Sequence, residues 1–182
     1  MYAIARRVAR RHVNAYGGVG QWRPWVPGEP LWHGSPLSFD APKATGSPKV
    51  LWLTDDRDSA VRYASKHYVR SDTAYVWEIH LKPGARIVDM RDLSNPVVRS
   101  LKDSVSEIRQ HTWGPISDED WPSFADFGIV EGYSWVRPFL RSRRVDGVWV
   151  DDTVDGTRGH RSIALLNVGA IASAVRHEHP RA

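Results

Sequence analysis

The chain of 182 residues contains no cysteine. Disulfide bonds, a cysteine nucleophile and cysteine-ligated zinc are therefore excluded. No apolar run reaches the roughly 18 residues that a membrane-spanning helix requires, and the first residues lack the apolar segment of a secretory signal. We expect a cytoplasmic protein without a membrane span.

Several motifs of nucleotide-binding and metal-dependent enzymes are also missing. The chain has no Gly-rich phosphate loop ending in Lys-Ser/Thr, no Rossmann glycine fingerprint, no His-Glu-x-x-His and no Gly-x-Ser-x-Gly. The eight histidines are scattered. His177 and His179 are spaced to share a metal ion, but a frayed basic tail is the preferred interpretation, so we expect no metal site.

The composition, with 41% hydrophobic and 25% charged residues, is typical of a globular protein and argues against disorder. We expect a basic helix over residues 1–20, which ends at a pair of glycines, and one domain over residues 21–182. The arginines at positions 6, 7, 10 and 11 repeat at helical spacing. This helix suits nucleic acid or a membrane surface, a solvated face packed on the domain, or a mitochondrial presequence.

The rest of the chain predicts an α+β fold. Six strands are expected in "PLWHGS", "VLWLT", "AYVWEIHLK", "RIVDM", "DGVWVDD" and "SIALLN". Helices are expected in "DDRDSAVRYASKHYV", over residues 92–113 near Asn95, and as broken segments after a capping pattern at Ser117. The segment "VGAIASAVRH" is expected to be a short turn or helix.

Two of these segments carry candidate binding residues. His33 ends a strand and is followed by the small residues Gly34 and Ser35, so its imidazole and the nearby backbone groups can face a ligand. Trp52 and Tyr63 stand eleven residues apart across a strand, a turn and a helix. Two such rings form a slot for a flat cation such as oxidised nicotinamide, although each residue taken alone also fits a packed core.

In order and spacing, these segments resemble the ADP-ribosyltransferase superfamily, in particular its diphtheria-toxin-like branch. "WLTD" and "AVRYA" are similar to the family pattern, with Trp52 in place of the first of two tyrosines and Tyr63 matching the second. "YVWEIHLKPGARIVDM" and "RRVDGVWVDD" are similar to later strands, so the resemblance spans roughly residues 30 to 171. It implies a split β-sheet with helices packed around an NAD cleft. The implied NAD-binding residues are His33, Gly34, Ser35, Trp52, Thr54 and Tyr63.

One position departs from the family. Its members normally carry a glutamate at the start of the last conserved strand, whereas this chain has Ser162, flanked by His160 and Arg161. The family carboxylate orients the ribose and stabilises the oxocarbenium character of the breaking bond. Acids from neighbouring segments are candidates to replace it: Asp151, Asp152, Asp155 and Glu131. NAD-degrading toxins with a RES domain resemble this fold and use a serine in the last motif, although their first-motif arginine is not matched by His33.

The resemblance implies a mono-ADP-ribosyltransferase that consumes NAD and modifies a protein or other macromolecule, with Ser162, Asp152 and Tyr63 as the expected catalytic residues. Such an enzyme fits an intracellular effector or toxin of bacterial or phage origin. Two alternatives stay open: an NAD glycohydrolase or phosphorylase, and a catalytically silent domain that binds a partner. Residues 114–140 are the expected target-recognising insert. A second group of arginines suits nucleic acid or a solvated helix face: Arg137, Arg141, Arg143 and Arg144.

Overall fold

The computed structural model describes residues 25–35, 42, 50–65, 73–110, 114–152 and 160–180. The predicted basic helix over residues 1–20 lies outside these ranges. Within them the protein is an α+β structure, as predicted, with a seven-stranded sheet and several helices. In the described part of the chain, no helix has the length and apolarity needed to span a bilayer.

The strands form a single mixed sheet in the order β4-β5-β6-β2-β1-β3-β7. Their bounds are β1 (Leu31–Ser35), β2 (Leu51–Thr54), β3 (Thr73–Leu81), β4 (Ile87–Asp89), β5 (Gly147–Asp152), β6 (His160–Leu165) and β7 (Ile171–Pro180). The first six confirm the predicted strands. Strands β4 and β5 pair in parallel, and the other neighbours pair antiparallel.

The turn or helix predicted for "VGAIASAVRH" is wrong beyond its first residues. A 3₁₀ turn covers Val168–Ala170, and the chain then continues as strand β7. The reason lies in β3, whose second edge pairs with β7 from Leu81 to Thr73. Backbone groups along that edge need partners, and a strand supplies them where an isolated helix would not. His177 and His179 therefore belong to a paired strand and not to a frayed tail.

Five helices are present in the described ranges, and three local caps confirm their predicted starts. They are α1 (Arg57–Ser65), α2 (Pro96–Arg109), α3 (Trp121–Phe124), α4 (Phe127–Gly132) and α5 (Val136–Ser142). The Asp56 carboxylate accepts the N–H groups of the first turn of α1, and the Asn95 side chain accepts one at α2. Ser117 Oγ accepts the N–H of Asp120 before α3.

The sheet buries side chains on both of its faces. Leu51 and Leu53 of β2 join a cluster with Trp149, Ile163 and Leu165 on one face. On the other face Trp52 packs against a larger cluster that contains the inner residues of α2, α4 and α5. Because side chains alternate along a strand, Trp52 and the buried leucines must point to opposite faces. We call the side that carries Trp52 the helical face.

The sheet is weakly joined between β1 and β2. Among the described residues, these strands share the single register pair Trp32↔Thr54, whereas β1 pairs with β3 along its whole length. Strand β2 instead pairs with β6 from Leu51 to Thr54. The sheet thus has a β7-β3-β1 part and a β2-β6-β5-β4 part that share one register pair, while buried side chains of both parts pack in the same cluster.

Candidate functional site

A hydrogen bond between Trp52 and Glu131 brings a carboxylate to the aromatic ring of β2. The indole Nε1 of Trp52 donates to Glu131 Oε1 at 3.0 Å. Glu131 lies on α4 and is exposed, while its neighbours Ile129 and Val130 are buried in the cluster of the helical face. These buried residues hold α4 over the sheet, so the position of Glu131 is set by core packing and not by a loop.

Thr54 and Ser162 lie directly opposite each other on β2 and β6. By strand alternation, they face the same side as Trp52 and Ala164, which pair two residues further along the two strands. Thr54 is 6% exposed and Ser162 is 2% exposed. Thr54 Oγ1 also accepts the N–H of Asp56 at 3.1 Å, which fixes the turn into α1. Both hydroxyl groups are therefore buried within the fold and have almost no contact with solvent.

His33 ties the two parts of the sheet together at the Trp52 backbone. Its Nδ1 lies 2.9 Å from the Trp52 carbonyl oxygen, and because a carbonyl can only accept, Nδ1 carries the proton. Burial lowers the pKa of His33 below its ordinary value, and the hydrogen bond to Trp52 opposes that shift only in part. At neutral pH the ring is thus neutral, with Nε2 as an acceptor.

Gly34 is explained by the close approach of α1 to β1. A Cβ at this position would lie 1.9 Å from the carbonyl oxygen of Ala60. Ala60 and Ala64 form the buried face of the helix, and these small residues bring its backbone against the strand. The neighbouring Ser35 is also buried and pairs with Tyr75 of β3. Gly34 and Ser35 therefore position α1 and β1 through packing.

Tyr63 is the exposed aromatic residue of this region, with 64% of its surface accessible. It precedes the buried Ala64 by one residue and so lies about 100° away around the helix. Val61, which packs against the cluster of Ala60 and Ala64, lies on the opposite flank. The phenol ring of Tyr63 therefore stands on the side of α1, free of the core that holds the helix.

For the remaining acidic candidates, the structure gives at most a position on strand β5. Asp151 pairs with Arg161, one pair beyond Val150 and Ser162, and Asp152 pairs with His160 at the end of β5. Asp155 lies outside the described residues. The Arg161 guanidinium forms a 2.6 Å ion pair with Asp55 and stands over the Trp149 ring. These contacts draw Arg161 to the face opposite Trp52.

A second group of ionisable side chains lies on β3 and β7. Glu78 contacts His80 Nε2 at 3.1 Å and His177 Nε2 at 3.5 Å through its two oxygens. The His177 ring also lies 6.1 Å from that of Trp32. In the described ranges, no group of three or more such side chains has a geometry that could hold a metal ion. The carboxylate instead links two imidazoles across neighbouring strands.

The structure brings Trp52, Thr54, Ser162 and Glu131 together on the helical face, with His33 bonded to the Trp52 backbone. From the sequence, Glu131 was one of four acidic candidates to replace the glutamate that is absent at Ser162. A local signal existed, since Asp126 caps α4 and the apolar pair before Glu131 marks the buried side, but it could not identify Trp52 as the partner. Comparison with protein-family models, with curated proteins and with solved structures gave no match to this chain.

Proposed function

We propose that the protein cleaves NAD at the nicotinamide–ribose bond and transfers ADP-ribose to a macromolecular acceptor, most simply a protein. The observation that carries this proposal is the hydrogen bond between Trp52 Nε1 and Glu131 Oε1. It puts an exposed carboxylate beside an aromatic ring, and a substrate with a cationic ring on a sugar needs both groups. Glu131 thereby takes the role of the acid that is missing at Ser162.

The chemistry assigns a separate task to each side chain. Trp52 and Tyr63 bind the flat nicotinamide cation, and such contacts contribute about 0.5–2 kcal/mol each. His33 shares the sheet face of Leu31 and Leu53, opposite Trp52, so it acts as a positioning residue that holds the Trp52 backbone through its Nδ1 hydrogen bond. Ser162 and Thr54 are buried, so they support the β2–β6 pair below the ligand rather than react with it.

In the reaction, the bond between ribose C1′ and the nicotinamide nitrogen breaks, and its electron pair leaves with neutral nicotinamide. Positive charge then develops on the ribose ring, and the Glu131 carboxylate stabilises it. A nucleophilic atom of the acceptor forms the new bond to C1′ and loses a proton to solvent or to Glu131. Water in place of the acceptor gives hydrolysis with the same groups.

The test is release of nicotinamide from NAD by the purified protein, with and without cell lysate, followed by mass spectrometry. Glu131→Gln keeps an oxygen that can accept from Trp52 Nε1 but removes the negative charge. We expect it to lower release about 100-fold or more with no change in melting temperature. The matched control is Glu107→Gln, a neutralisation of an exposed residue on α2.

His33→Ala and Tyr63→Ala complete the set, and both are expected to lose release. Release that needs lysate indicates transfer, whereas equal release without lysate indicates an NAD-consuming hydrolase. If the folded wild-type protein releases no nicotinamide under either condition, the proposal fails and a silent binding domain replaces it. Unchanged release by Glu131→Gln refutes the role of that carboxylate.

A further inference from the structure

A cluster of exposed arginines lies at the β4 edge of the sheet, outside the candidate site. This arginine patch consists of Arg86, Arg141, Arg143 and Arg144, all of them exposed. It holds as many positive charges as the formal net charge of the whole chain, +4. Among the described residues, none of these four guanidinium groups is paired with a carboxylate. By contrast, Arg62, Arg99 and Arg161 each have an aspartate partner.

The patch is held in place by contacts with backbone oxygens and one ring. Arg86 donates to the Arg143 carbonyl at 3.1 Å, and Arg141 donates to that of Leu166 at 2.9 Å. The Arg143 guanidinium lies 3.5 Å from the centre of the Phe139 ring. Such bonds orient the cations without neutralising them, so the positive field of the patch stays directed to solvent.

The nearest acidic residue along the chain, Asp146, forms no ion pair with these four arginines in the described part of the chain. One of its oxygens accepts from the Asn167 side chain at 2.7 Å, and the other accepts from the backbone N–H of Arg86 at 2.9 Å. Its carboxylate thus links two turns of the fold. Counting the Asp146 carboxylate against the four arginines leaves a net charge of +3 on this edge.

The backbone conformation of Arg144 is a separate observation about this patch. It has φ 58° and ends α5 in a motif where glycine is the usual residue. Its N–H bonds to Arg141 O, and the N–H of Val145 bonds to Leu140 O, which completes that motif. A left-handed arginine costs about 1–2 kcal/mol relative to glycine. Backbone stability alone would favour glycine at this position, so the backbone conformation does not explain the presence of Arg144.

Aromatic rings continue the patch along α5. Trp135 meets Phe139 edge to face at 5.9 Å and Tyr133 at 6.3 Å. All three rings are only partly buried, and Phe139 connects them to the patch through its contact with the Arg143 guanidinium. Proteins that bind single-stranded nucleic acid combine cationic side chains, which contact the phosphate backbone, with aromatic rings, on which the bases stack.

We propose that the arginine patch and these rings bind single-stranded nucleic acid, with the guanidinium groups on phosphates. Bidentate contacts suit arginine, and neutralised phosphates release counterions. For four contacts on a single strand, affinity falls about 50-fold between 50 and 200 mM salt. The inference does not depend on the NAD proposal, since neither the surface nor its assay involves NAD.

The test measures binding of a fluorescein-labelled 20-nucleotide single-stranded RNA and DNA to the full chain by anisotropy over a salt series. Arg144→Gly removes one charge and relaxes the backbone, so a loss of binding cannot come from unfolding. We expect a five- to tenfold loss at 50 mM salt, a salt slope lower by about 0.7 and a melting temperature no lower than wild type. Arg86→Gln/Arg144→Gly should double the change in slope.

Arg176→Gln is the matched control, since it removes one exposed arginine from β7, at the opposite edge of the sheet. It should bind like wild type, and the N-terminal arginines are common to every variant, so the difference reports the patch alone. Equal losses in Arg176→Gln and Arg144→Gly overturn the proposal. Equal affinity for duplex DNA, or equal competition by polyglutamate or phosphatidylserine vesicles, also overturns it, because the surface is then a general anion binder.

Discussion

Gly34→Ala tests whether the contact between β1 and α1 is as close as the structure requires. The added methyl group would lie 1.9 Å from the Ala60 carbonyl oxygen and 3.0 Å from the Ala64 nitrogen. Carbon–oxygen contacts below 3.0 Å are essentially never seen, so α1 must withdraw by about 1.1 Å or more. The atom in the way is helix backbone, which cannot rotate aside as a flexible side chain can.

The expected cost is about 3 kcal/mol of unfolding free energy, at the upper end of the usual range for overpacking. For a chain of this size, each kcal/mol corresponds to about 2–4 °C, so the melting temperature should fall by about 6–12 °C. The same shift moves Tyr63, which α1 carries one turn after Ala60. Any ligand that touches Tyr63 should therefore bind more weakly as well.

The measurement is thermal and urea denaturation of Gly34→Ala beside Gly84→Ala. Gly84 has open space where its Cβ would be, so alanine there should change stability by no more than about 0.5 kcal/mol. If the two variants unfold at the same temperature and with the same urea dependence, then α1 does not press on β1 and the packing described for Gly34 is wrong.

Two further predictions concern the pH response and a helix cap. Burial lowers the pKa of His33 below 6.5, so the unfolded chain binds a proton at this residue more readily than the folded chain does. The contribution of neutral His33 to the free energy of unfolding is therefore fully present above pH 6.5 and is lost as the pH decreases. His33→Asn, which keeps a donor for the Trp52 carbonyl, should reduce the loss of stability between pH 7.5 and pH 5.5 in urea titrations, and an unchanged pH dependence would contradict this. Asn95→Ala should cost about 1 kcal/mol, because its side chain accepts the N–H of Val97 at 2.9 Å. Ser100→Ala, inside the same helix, serves as the comparison, and an equal loss in both would argue against the cap.

Local chemistry made much of this fold predictable. The alternation of "AYVWEIHLK" predicted β3, and Asn95 before a proline predicted the start of α2. Both signals act over a few residues and depend on backbone preferences and caps. The same holds for Ser117, whose hydroxyl bonds to Asp120 three residues later. Such elements can be predicted because their determining contacts lie within one turn or one strand.

The missed features all depend on partners far away in the chain. Strand β7 begins with the sequence "IASAV", which suits a helix as well, and only the edge of β3 decides between them. Glu131 and Trp52 are separated by 79 residues, so no spacing rule connects them. Ser162 was correctly placed on a strand, but its burial follows from the packing of β2 and β5 on either side. Pairing and packing of this kind are properties of the assembled sheet.

The strand order has a consequence for synthesis of the chain. Strands β1, β2 and β3 are made early, but their outer partners β6 and β7 begin only at His160 and Ile171. At ribosomal rates of about 5–20 residues per second, roughly 5–20 s pass between the completion of β3 and the arrival of β7. During that interval the nascent chain presents open strand edges, which other chains can pair with. We therefore expect slower translation, or loss of a ribosome-bound chaperone, to reduce the soluble yield of the protein before it affects the finished fold.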